Sequence, residues 1–274
     1  MQRTRKMIVA AAMVATLAAG AAWAQLPWKG YLGDAAPDTT FVVPPAPQAG
    51  SAEAEADRAI FKATRALQGT PRWDMAIADA KEREVGKAFA CAVGAEVGFV
   101  STPKIGKLLM RVAPDLTRAV DRPKSYYSRK RPYLVDDGPI CVAREKALDE
   151  SPDYPSGHAS WGWAVGLILA ELAPDRADRI LLRARAFTES RAVCGVHNAS
   201  SVAAGRDNGT AVVAALHSSP ELRADMEEAR AELERLTHAQ RKWRRTPVAE
   251  RAIWLRDWAA ALEGHRDALV RQMA

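Results

Sequence analysis

Apolar residues recur every three to four positions along most of the chain, a spacing typical of helices rather than strands. Ala56, Ile60, Ala63 and Leu67 follow this spacing directly after Ser51, which is a candidate N-cap residue. The pattern therefore predicts a helix from Ser51 to about Leu67, and an all-α fold for the chain.

Prolines mark where the next helices begin. Pro71 opens a helix that the pattern extends towards Val97. The pair Thr102-Pro103 begins a short helix that ends near Val112, and Pro114 begins another. A polar loop is predicted from the turn at Asp136-Asp137-Gly138-Pro139 to Tyr154.

A second group of helices is predicted in the C-terminal half. Ser156 opens a helix that ends near Leu172 and contains a run of small, uncharged residues, and Pro174 begins the next one. A helix over 202–216 follows. From Pro220 a single apolar stripe lies on an otherwise charged helix, and Pro247 begins a last helix that carries Trp254 and Trp258.

The two ends of the chain differ from this helical part. Residues 1–24 contain three basic residues, an apolar run and the small-x-small site Ala22-Trp23-Ala24, which predicts a signal peptide cleaved near Ala24/Gln25. The mature protein is then periplasmic or secreted, and a retained N-terminal anchor is the alternative. No later stretch has the about 20 apolar residues of a membrane span. The proline-rich segment 25–50 predicts an extended arm.

Composition and charge agree with a globular domain. The chain has 274 residues, 48% of them hydrophobic, and a net charge of +6. Three positive charges leave with residues 1–24, and the remaining +3 is too slight to indicate a nucleic-acid partner. We predict one helical domain over 51–237 and a helical extension over 238–274. The basic cluster of the extension, Arg241 to Arg245, could contact an acidic membrane surface or a partner, or be a solvated helix end.

Candidate chemistry is concentrated at the start of the helix that Ser156 opens. The sequence Pro155-Ser156-Gly157-His158 places polar groups beside free backbone N–H groups and the positive end of a helix dipole. Such a helix start can bind an anion.

Two further stretches supply positive charge. Lys124 and Arg131 are seven residues apart, on one face if the segment is helical, and Pro132 ends it. The other stretch contains Arg191 and His197. The three motifs read K-x6-RP, PSGH and SR-x5-H.

With these motifs the chain resembles the class A bacterial non-specific acid phosphatases, of the type-2 phosphatidic acid phosphatase and vanadium haloperoxidase superfamily. The resemblance extends from about Phe41 to about Arg206. It implies a single-domain helical bundle, with His197 as the nucleophile and His158 as the acid for the leaving group. It also implies that phosphate is bound without a metal or cofactor, and vanadate could bind in its place. The phosphate-binding residues would be Lys124, Arg131, Ser156, Gly157 and Arg191.

The chain departs from the family pattern at one position. The pattern after the second histidine is H-x3-D, but Ser201 stands where the aspartate is expected. A carboxylate there would orient His197 and stabilise the charge that develops on it. Its loss predicts reduced activity, unless Asp153 or another acid of the long loop replaces it in space.

The chain has three cysteines. We predict a disulfide between Cys141 and Cys194, because both lie in loops beside motif segments. Cys91 lies in an apolar helical context and is predicted to be a buried free thiol. The alternative is that all three are small core residues.

The leading functional hypothesis is an exported enzyme that hydrolyses phosphate monoesters at acid pH through a phosphohistidine. The alternatives are a phosphate-binding protein that has lost catalysis, and a vanadate-dependent haloperoxidase. A lipid phosphatase is disfavoured, since no membrane span is predicted for the mature chain, but the tryptophans and the basic cluster of the tail leave a peripheral version open. The leaving group and the oligomeric state, including a homo-oligomer, stay open.

Overall fold

The computed structural model describes residues 29–264, and this part of the chain is helical without any β-strand. The predicted all-α fold is therefore confirmed. The predicted signal peptide, residues 1–24, lies outside the described residues. The α-helices of the described part are α1 (Ala52–Arg65), α2 (Pro71–Asp79), α3 (Val85–Val93), α4 (Pro103–Tyr127), α5 (Lys146–Glu150), α6 (Gly157–Leu172), α7 (Ala177–Cys194), α8 (Ala199–Leu216), α9 (Pro220–Arg245) and α10 (Val248–Gly264).

Helix α6 lies at the centre of the bundle and packs mainly against α7 and α8. Its small residues explain how closely these helices approach. A Cβ at Gly162 would lie 2.2 Å from a ring carbon of Phe187 on α7, and a Cβ at Gly209 of α8 would lie 2.7 Å from the carbonyl oxygen of Ser160. Close packing of this kind excludes any larger side chain at these positions. The core therefore holds α6, and with it the Ser156 end, in one place.

Serine side chains cap three of the helices at the predicted starts. Ser51, Ser156 and Ser219 each accept a hydrogen bond from the backbone N–H three residues on. An N-cap of this type contributes about 1 kcal/mol and fixes the point at which the helix begins.

The predicted helix from Pro71 to Val97 is wrong, because two helices, α2 and α3, occupy this range. They are separated by a short 3-10 turn, Glu82–Glu84. Trp73 of α2 and Phe89 of α3 are both buried, and both helices pack against α7. The break between them lets each aromatic side chain reach the core.

The predicted break at Pro114 is also wrong. Helix α4 runs without interruption from Pro103 to Tyr127, with Pro114 inside it. A proline within a helix costs about 3 kcal/mol. Leu108, Val112 and Leu116 are buried on one face of α4, and each contributes about 1.5–3 kcal/mol when buried. Tertiary packing therefore outweighs the local cost.

Helix α4 ends before the second residue of the K-x6-RP motif. Ser128 adopts a left-handed conformation with φ of 44° and ends the helix, so Lys124 lies in its last turn. Arg131 lies beyond the end in extended backbone. The two side chains therefore do not share a helix face as the spacing suggested.

The segments outside the central bundle follow simple patterns. The predicted polar loop contains the short helix α5 and a 3-10 turn, Pro132–Leu134. Residues 29–50 lie over the surface, where the buried hydroxyl of Thr39 donates to the carbonyl oxygen of Ala119.

The apolar stripe of α9 is buried from the start of the helix to Leu233. Helix α9 continues through the predicted domain boundary at 237/238, and α10 returns against its end, with 5.7 Å between the rings of Trp243 and Trp254.

Of the two cysteine predictions, one is confirmed and the other is wrong. The disulfide Cys141–Cys194 is present, as predicted. Cys91 is an exposed free thiol, so its predicted burial is wrong. Helix α3 buries Val85, Phe89 and Val93 at a spacing of four, and Cys91 lies on the opposite face. Within residues 29–264, none of the helices is both long and apolar enough to span a membrane.

Candidate active site

A cavity of about 670 Å³ lies at the Ser156 end of α6 and is called the main cavity here. Residues from all three sequence motifs line it, although they come from separate elements. Of the predicted site residues, its lining includes Lys124, Arg131, Gly157, His158, Arg191 and His197. The fold thus brings together six side chains or backbone positions that the sequence motifs singled out.

Two of the predicted site residues lie behind this lining. Ser156 is fully buried, and its hydroxyl accepts a hydrogen bond from the N–H of Ala159 as the N-cap of α6. Ser201 is also fully buried, and its carbonyl oxygen accepts from the N–H of Ser156. Both residues therefore hold the start of α6 in position.

His197 is held by both of its ring nitrogens. Its Nδ1 atom lies 2.7 Å from the carbonyl oxygen of Asp153 and 3.0 Å from the carboxylate oxygen Oδ1 of the same residue. Both of these atoms are acceptors, so Nδ1 carries the proton of the neutral ring. The lone pair is then on Nε2, which lies 3.1 Å from Nη1 of Arg131.

The electrostatic surroundings keep His197 neutral. Burial and the nearby charge of Arg131 lower the pKa of His197 well below its ordinary value, although Asp153 acts in the opposite direction. The ring therefore stays neutral and Nε2 stays unprotonated, with its lone pair directed towards Nη1 of Arg131. A neutral imidazole of this kind is a competent nucleophile.

Asp153 is the carboxylate that orients His197, and it comes from the segment before α6. Its side chain is fully buried and accepts hydrogen bonds from the hydroxyl of Ser201 and from Nδ2 of Asn198, the latter at 2.8 Å. Burial alone would raise the pKa of Asp153, but the hydrogen bonds from His197, Ser201 and Asn198 lower it to about 2. Nη1 of Arg129 lies 3.6 Å from the same carboxylate.

Three cationic side chains surround the cavity. Burial and the charge of Arg131 lower the pKa of Lys124 to about 7, so this residue is protonated at acid pH. Arg131 donates to the carbonyl oxygens of Ser151 and Val196 at 2.8 and 2.7 Å. Its orientation is therefore set by the backbone.

Arg191 is the least satisfied of the three cations. Its side chain is buried, yet Nε and Nη1 have no hydrogen-bond partner among the described residues. Burial lowers the pKa of Arg191 to about 10, which still leaves it charged. Donor atoms of a buried guanidinium that lack partners are suited to charge-assisted hydrogen bonds with an anion.

A contact with Glu82 holds one ring nitrogen of His158. Its Nδ1 atom lies 2.9 Å from Oε1 of Glu82, while Nε2 is buried without a hydrogen-bond partner among the described residues. The ring stacks on Phe187 with 4.7 Å between centroids. Burial and the charge of Arg191 lower the pKa of His158, and Glu82 opposes this effect.

Two residues of this arrangement were not singled out as orienting groups by the sequence motifs. Glu82 lies in a stretch predicted as one long helix, where an isolated acid looks like a surface residue. Phe187 is a buried residue of α7, and the sequence motifs do not include it. Contacts across 76 residues between Glu82 and His158 carry no local sequence signal.

The disulfide holds the His197 segment against the loop that follows Arg131. Cys194 is the last residue of α7, three positions before His197, and its carbonyl oxygen accepts a hydrogen bond from the N–H of Cys141 at 3.0 Å. Two histidines and three cations are thus fixed around one space. Such a site can bind a tetrahedral anion, attack it with one imidazole and protonate a leaving group with the other.

No group of three or more His, Cys, Asp or Glu side chains is placed to hold a metal ion within the described residues. The charged side chains that line the main cavity are three cations, Lys124, Arg131 and Arg191, and four acids, Glu82, Asp121, Glu145 and Glu150.

Comparison with known proteins gives consistent matches. The family described as the PAP2 superfamily matches residues 108–224. An acid phosphatase of Zymomonas mobilis is 40% identical over 201 residues, which cover 72% of this chain and 76% of that protein. Non-specific acid phosphatases of Providencia stuartii and Salmonella typhimurium are 34% and 31% identical, each over 203 residues, covering 73% and 72% of this chain and 82% and 80% of their own lengths.

Proposed function

Because the chain belongs to the PAP2 superfamily and to its acid phosphatases, we propose that it is an exported enzyme that hydrolyses phosphate monoesters at acid pH through a phosphohistidine. The observation that carries this proposal is the meeting of His197, His158 and three cationic side chains around the main cavity. Export rests on the signal-peptide pattern of residues 1–24.

Binding of the phosphate group is assigned to the cations and to the start of α6. Arg191 offers two unpaired N–H donors, and Lys124 and Arg131 add charge beside Gly157. The backbone N–H groups of the first turn of α6 point out of the start of the helix, which is the positive end of the helix dipole. We assign the capping hydroxyl of Ser156 to this same cradle. These groups stabilise the three equatorial oxygens in the transition state.

In the first step, Nε2 of His197 attacks phosphorus. His158 acts from its imidazolium form, in which Nδ1–H is hydrogen bonded to Glu82 and Nε2 carries the second proton. The P–N bond forms while the bond from phosphorus to the ester oxygen breaks, and Nε2–H of His158 gives its proton to the departing oxygen, which leaves the ring of His158 neutral. Nδ1–H of His197 stays hydrogen bonded to Asp153, whose negative charge stabilises the positive charge that develops on the ring. The product of this step is an alcohol and a phosphohistidine.

In the second step, water attacks the phosphohistidine. His158 has lost its proton and now accepts one from the water, so that the new P–O bond forms as the P–N bond breaks. Inorganic phosphate and neutral His197 result. Every proton transfer of this cycle is assigned to side chains of the chain itself, with no metal or cofactor.

The position of Asp153 bears on the reduced activity that Ser201 predicts. Asp153 contacts Nδ1 of His197, and Ser201 donates to the same carboxylate. We propose that the orienting carboxylate has moved from position 201 to position 153. The chain then retains the charge that the H-x3-D pattern provides, and the predicted loss of activity is not expected.

The proposal is tested with 4-nitrophenyl phosphate at acid pH. We expect turnover in the wild type and a loss of at least about 10³-fold in His197→Ala, because the nucleophile is absent. Samples of the wild type that are quenched and denatured in alkali, where the P–N bond of a phosphohistidine is stable, and then analysed by mass spectrometry should carry a phosphoryl group on His197. His217→Ala is the matched control, since His217 is 43% exposed and pairs with Glu171 outside the site.

A second substrate tests the acid. His158→Ala should lose far more activity on an alkyl phosphate than on 4-nitrophenyl phosphate, because 4-nitrophenolate leaves without needing a proton. Turnover that is unchanged in His197→Ala contradicts the assigned nucleophile. Vanadate binding without any turnover would instead favour the phosphate-binding alternative, and halide oxidation with vanadate and peroxide would favour the haloperoxidase.

A further inference from the structure

A second cavity, of about 360 Å³, lies beside the main cavity and is called the side cavity here. Its walls are mostly apolar and come from the start of α3, the loop before α4, the first half of α4, and α6. The apolar side chains that line it are Val85, Val97, Phe99, Leu109, Met110 and Trp161. Nothing in the proposed chemistry uses this space.

The side cavity and the main cavity are neighbours that share two lining residues. Glu82 and Trp161 line both spaces. Trp161 follows His158 by three positions on α6, so the two side chains lie on the same face of the helix. Glu82 contacts Nδ1 of His158 directly. The side cavity therefore adjoins the acid histidine.

The geometry of phosphoryl transfer determines which part of a substrate would enter this space. The attacking atom and the leaving oxygen lie roughly in line, on opposite sides of phosphorus. Since His197 attacks, the leaving oxygen lies on the far side, where His158 must reach it. The group attached to that oxygen then lies next to Trp161 and Glu82, at the opening of the side cavity.

On this basis, and resting on the proposed function, we propose that the side cavity binds the leaving group and selects phosphate monoesters whose leaving group is apolar, uncharged and aromatic. An engineered cavity of about 150 Å³ is enough to bind benzene, so the side cavity can accept a two-ring group. Trp161 and Phe99 offer aromatic surfaces for contact with such a ring.

The charges at the opening favour an uncharged leaving group. Glu82 stands between the two cavities, and a leaving group with its own carboxylate or second phosphate would approach this carboxylate. Like charges at short range in a partly buried site repel strongly. An anionic group that lies against Glu82 is therefore expected to bind poorly, whereas Arg83, which also lines the side cavity, offers a cation to an anionic group placed against it.

The test compares phenyl phosphate with 2-naphthyl phosphate, which both leave as phenols and differ mainly in apolar area. We expect a lower KM for the naphthyl ester in the wild type. In Gly98→Leu this advantage should fall about tenfold, because the added side chain projects into the side cavity, where a Cβ meets no atom within 4 Å. A carboxylate on the naphthyl ring should raise KM.

Val100→Leu is the matched control, because Val100 is in the same loop, is 97% exposed and does not line the side cavity. If Gly98→Leu does not fold, Phe99→Ser serves instead, since Phe99 is 52% exposed and its loss removes one wall. A naphthyl-to-phenyl ratio of kcat/KM that is the same in the wild type and in either variant overturns the proposal. Absence of turnover on phenyl phosphate in the wild type would instead refute the proposed function, because the reacting phosphate group lies in the main cavity whatever the leaving group is.

Discussion

Replacing Asp153 by asparagine removes the negative charge behind the nucleophile while keeping nearly the same shape. The carboxylate contacts Nδ1 of His197 at 3.0 Å, and the carbonyl oxygen of residue 153 contacts the same nitrogen at 2.7 Å. The carbonyl group remains in the variant, so Nδ1 keeps its proton and Nε2 keeps its lone pair. The variant therefore isolates the effect of the charge from the effect of the tautomer.

The expected loss follows from the strength of one charge-assisted hydrogen bond. Such a bond is worth about 1.5–3 kcal/mol. At 1.36 kcal/mol per factor of ten, kcat should fall about 10- to 10²-fold. This is less than the about 10⁴-fold loss known for the orienting aspartate of serine proteases, where the tautomer is also lost. KM should change little, because the charge matters mainly in the transition state.

A merely structural role for Asp153 needs to be separated from an orienting role. Asn198 and Ser201 both donate to Asp153, so the variant is also expected to unfold at a lower temperature. The assay is steady-state kinetics well below that temperature, with the fold checked by circular dichroism. The double variant Asp153→Ser with Ser201→Asp is called the exchanged pair here. It places a carboxylate at position 201, from which it can accept the hydrogen bond of Nδ1–H of His197.

The exchanged pair should be at least about tenfold more active than Asp153→Ser alone. Ser201→Asp alone should be less active than the wild type, because two carboxylates would then meet in one buried space. The reasoning is refuted if folded Asp153→Asn has a kcat within about threefold of the wild type. It is also refuted if the exchanged pair gains nothing over Asp153→Ser.

Three further predictions concern the surroundings of the site. Glu82→Gln removes a charge that raises the pKa of His158, so the fall of kcat/KM at rising pH should move to lower pH. Lys124 has a pKa of about 7 and is charged below it, so inhibition by phosphate should weaken above pH 7. In Lys124→Arg this weakening should disappear, because the guanidinium stays charged. Phosphate itself also ionises near pH 7, but this affects both proteins equally, so the inhibition constants of variant and wild type are compared as a ratio at each pH. Cys141→Ser opens a link to Cys194 across 53 residues and should lower the free energy of unfolding by about 4 kcal/mol, measured by urea titration.

Two of these variants, Glu82→Gln and Cys141→Ser, have a matched control. Glu84→Gln removes a charge from the same short turn as Glu82, but its side chain is 44% exposed and faces Lys81 and Lys87. It should leave the pH profile unchanged. Cys91→Ser removes the exposed free thiol and should leave the free energy of unfolding unchanged. An equal effect of control and variant would contradict the corresponding assignment.

The sequence was sufficient to predict those features of the fold whose physical cause lies within a short segment. Ser156 caps a helix because its side chain and the next three residues suffice to form the cap. The motif residues Lys124 and His197 could be assigned because their spacing resembles a known family. Pro114 was misread, since its local cost is visible in the sequence while the burial of the surrounding face is not.

The orienting groups of the two histidines depend on contacts far apart in the chain. Glu82 meets His158 across 76 residues, and Asp153 meets His197 across 44. Neither pair has a spacing that a helix or turn would impose. The sequence offered Asp153 only as one of several acids in a loop, and the fold of α6 against α8 selects it.

The buried, unpaired guanidinium of Arg191 has a consequence for the empty enzyme. Two buried donor atoms, Nε and Nη1, that lack a hydrogen-bond partner among the described residues lower the stability of the ligand-free fold, and an anion that bonds to them removes this penalty. By mass action, the inorganic phosphate released at the end of each cycle then protects the enzyme against heat and proteolysis. The same product occupies the site as a competitor, so durability and turnover respond in opposite directions to the phosphate content of the surroundings.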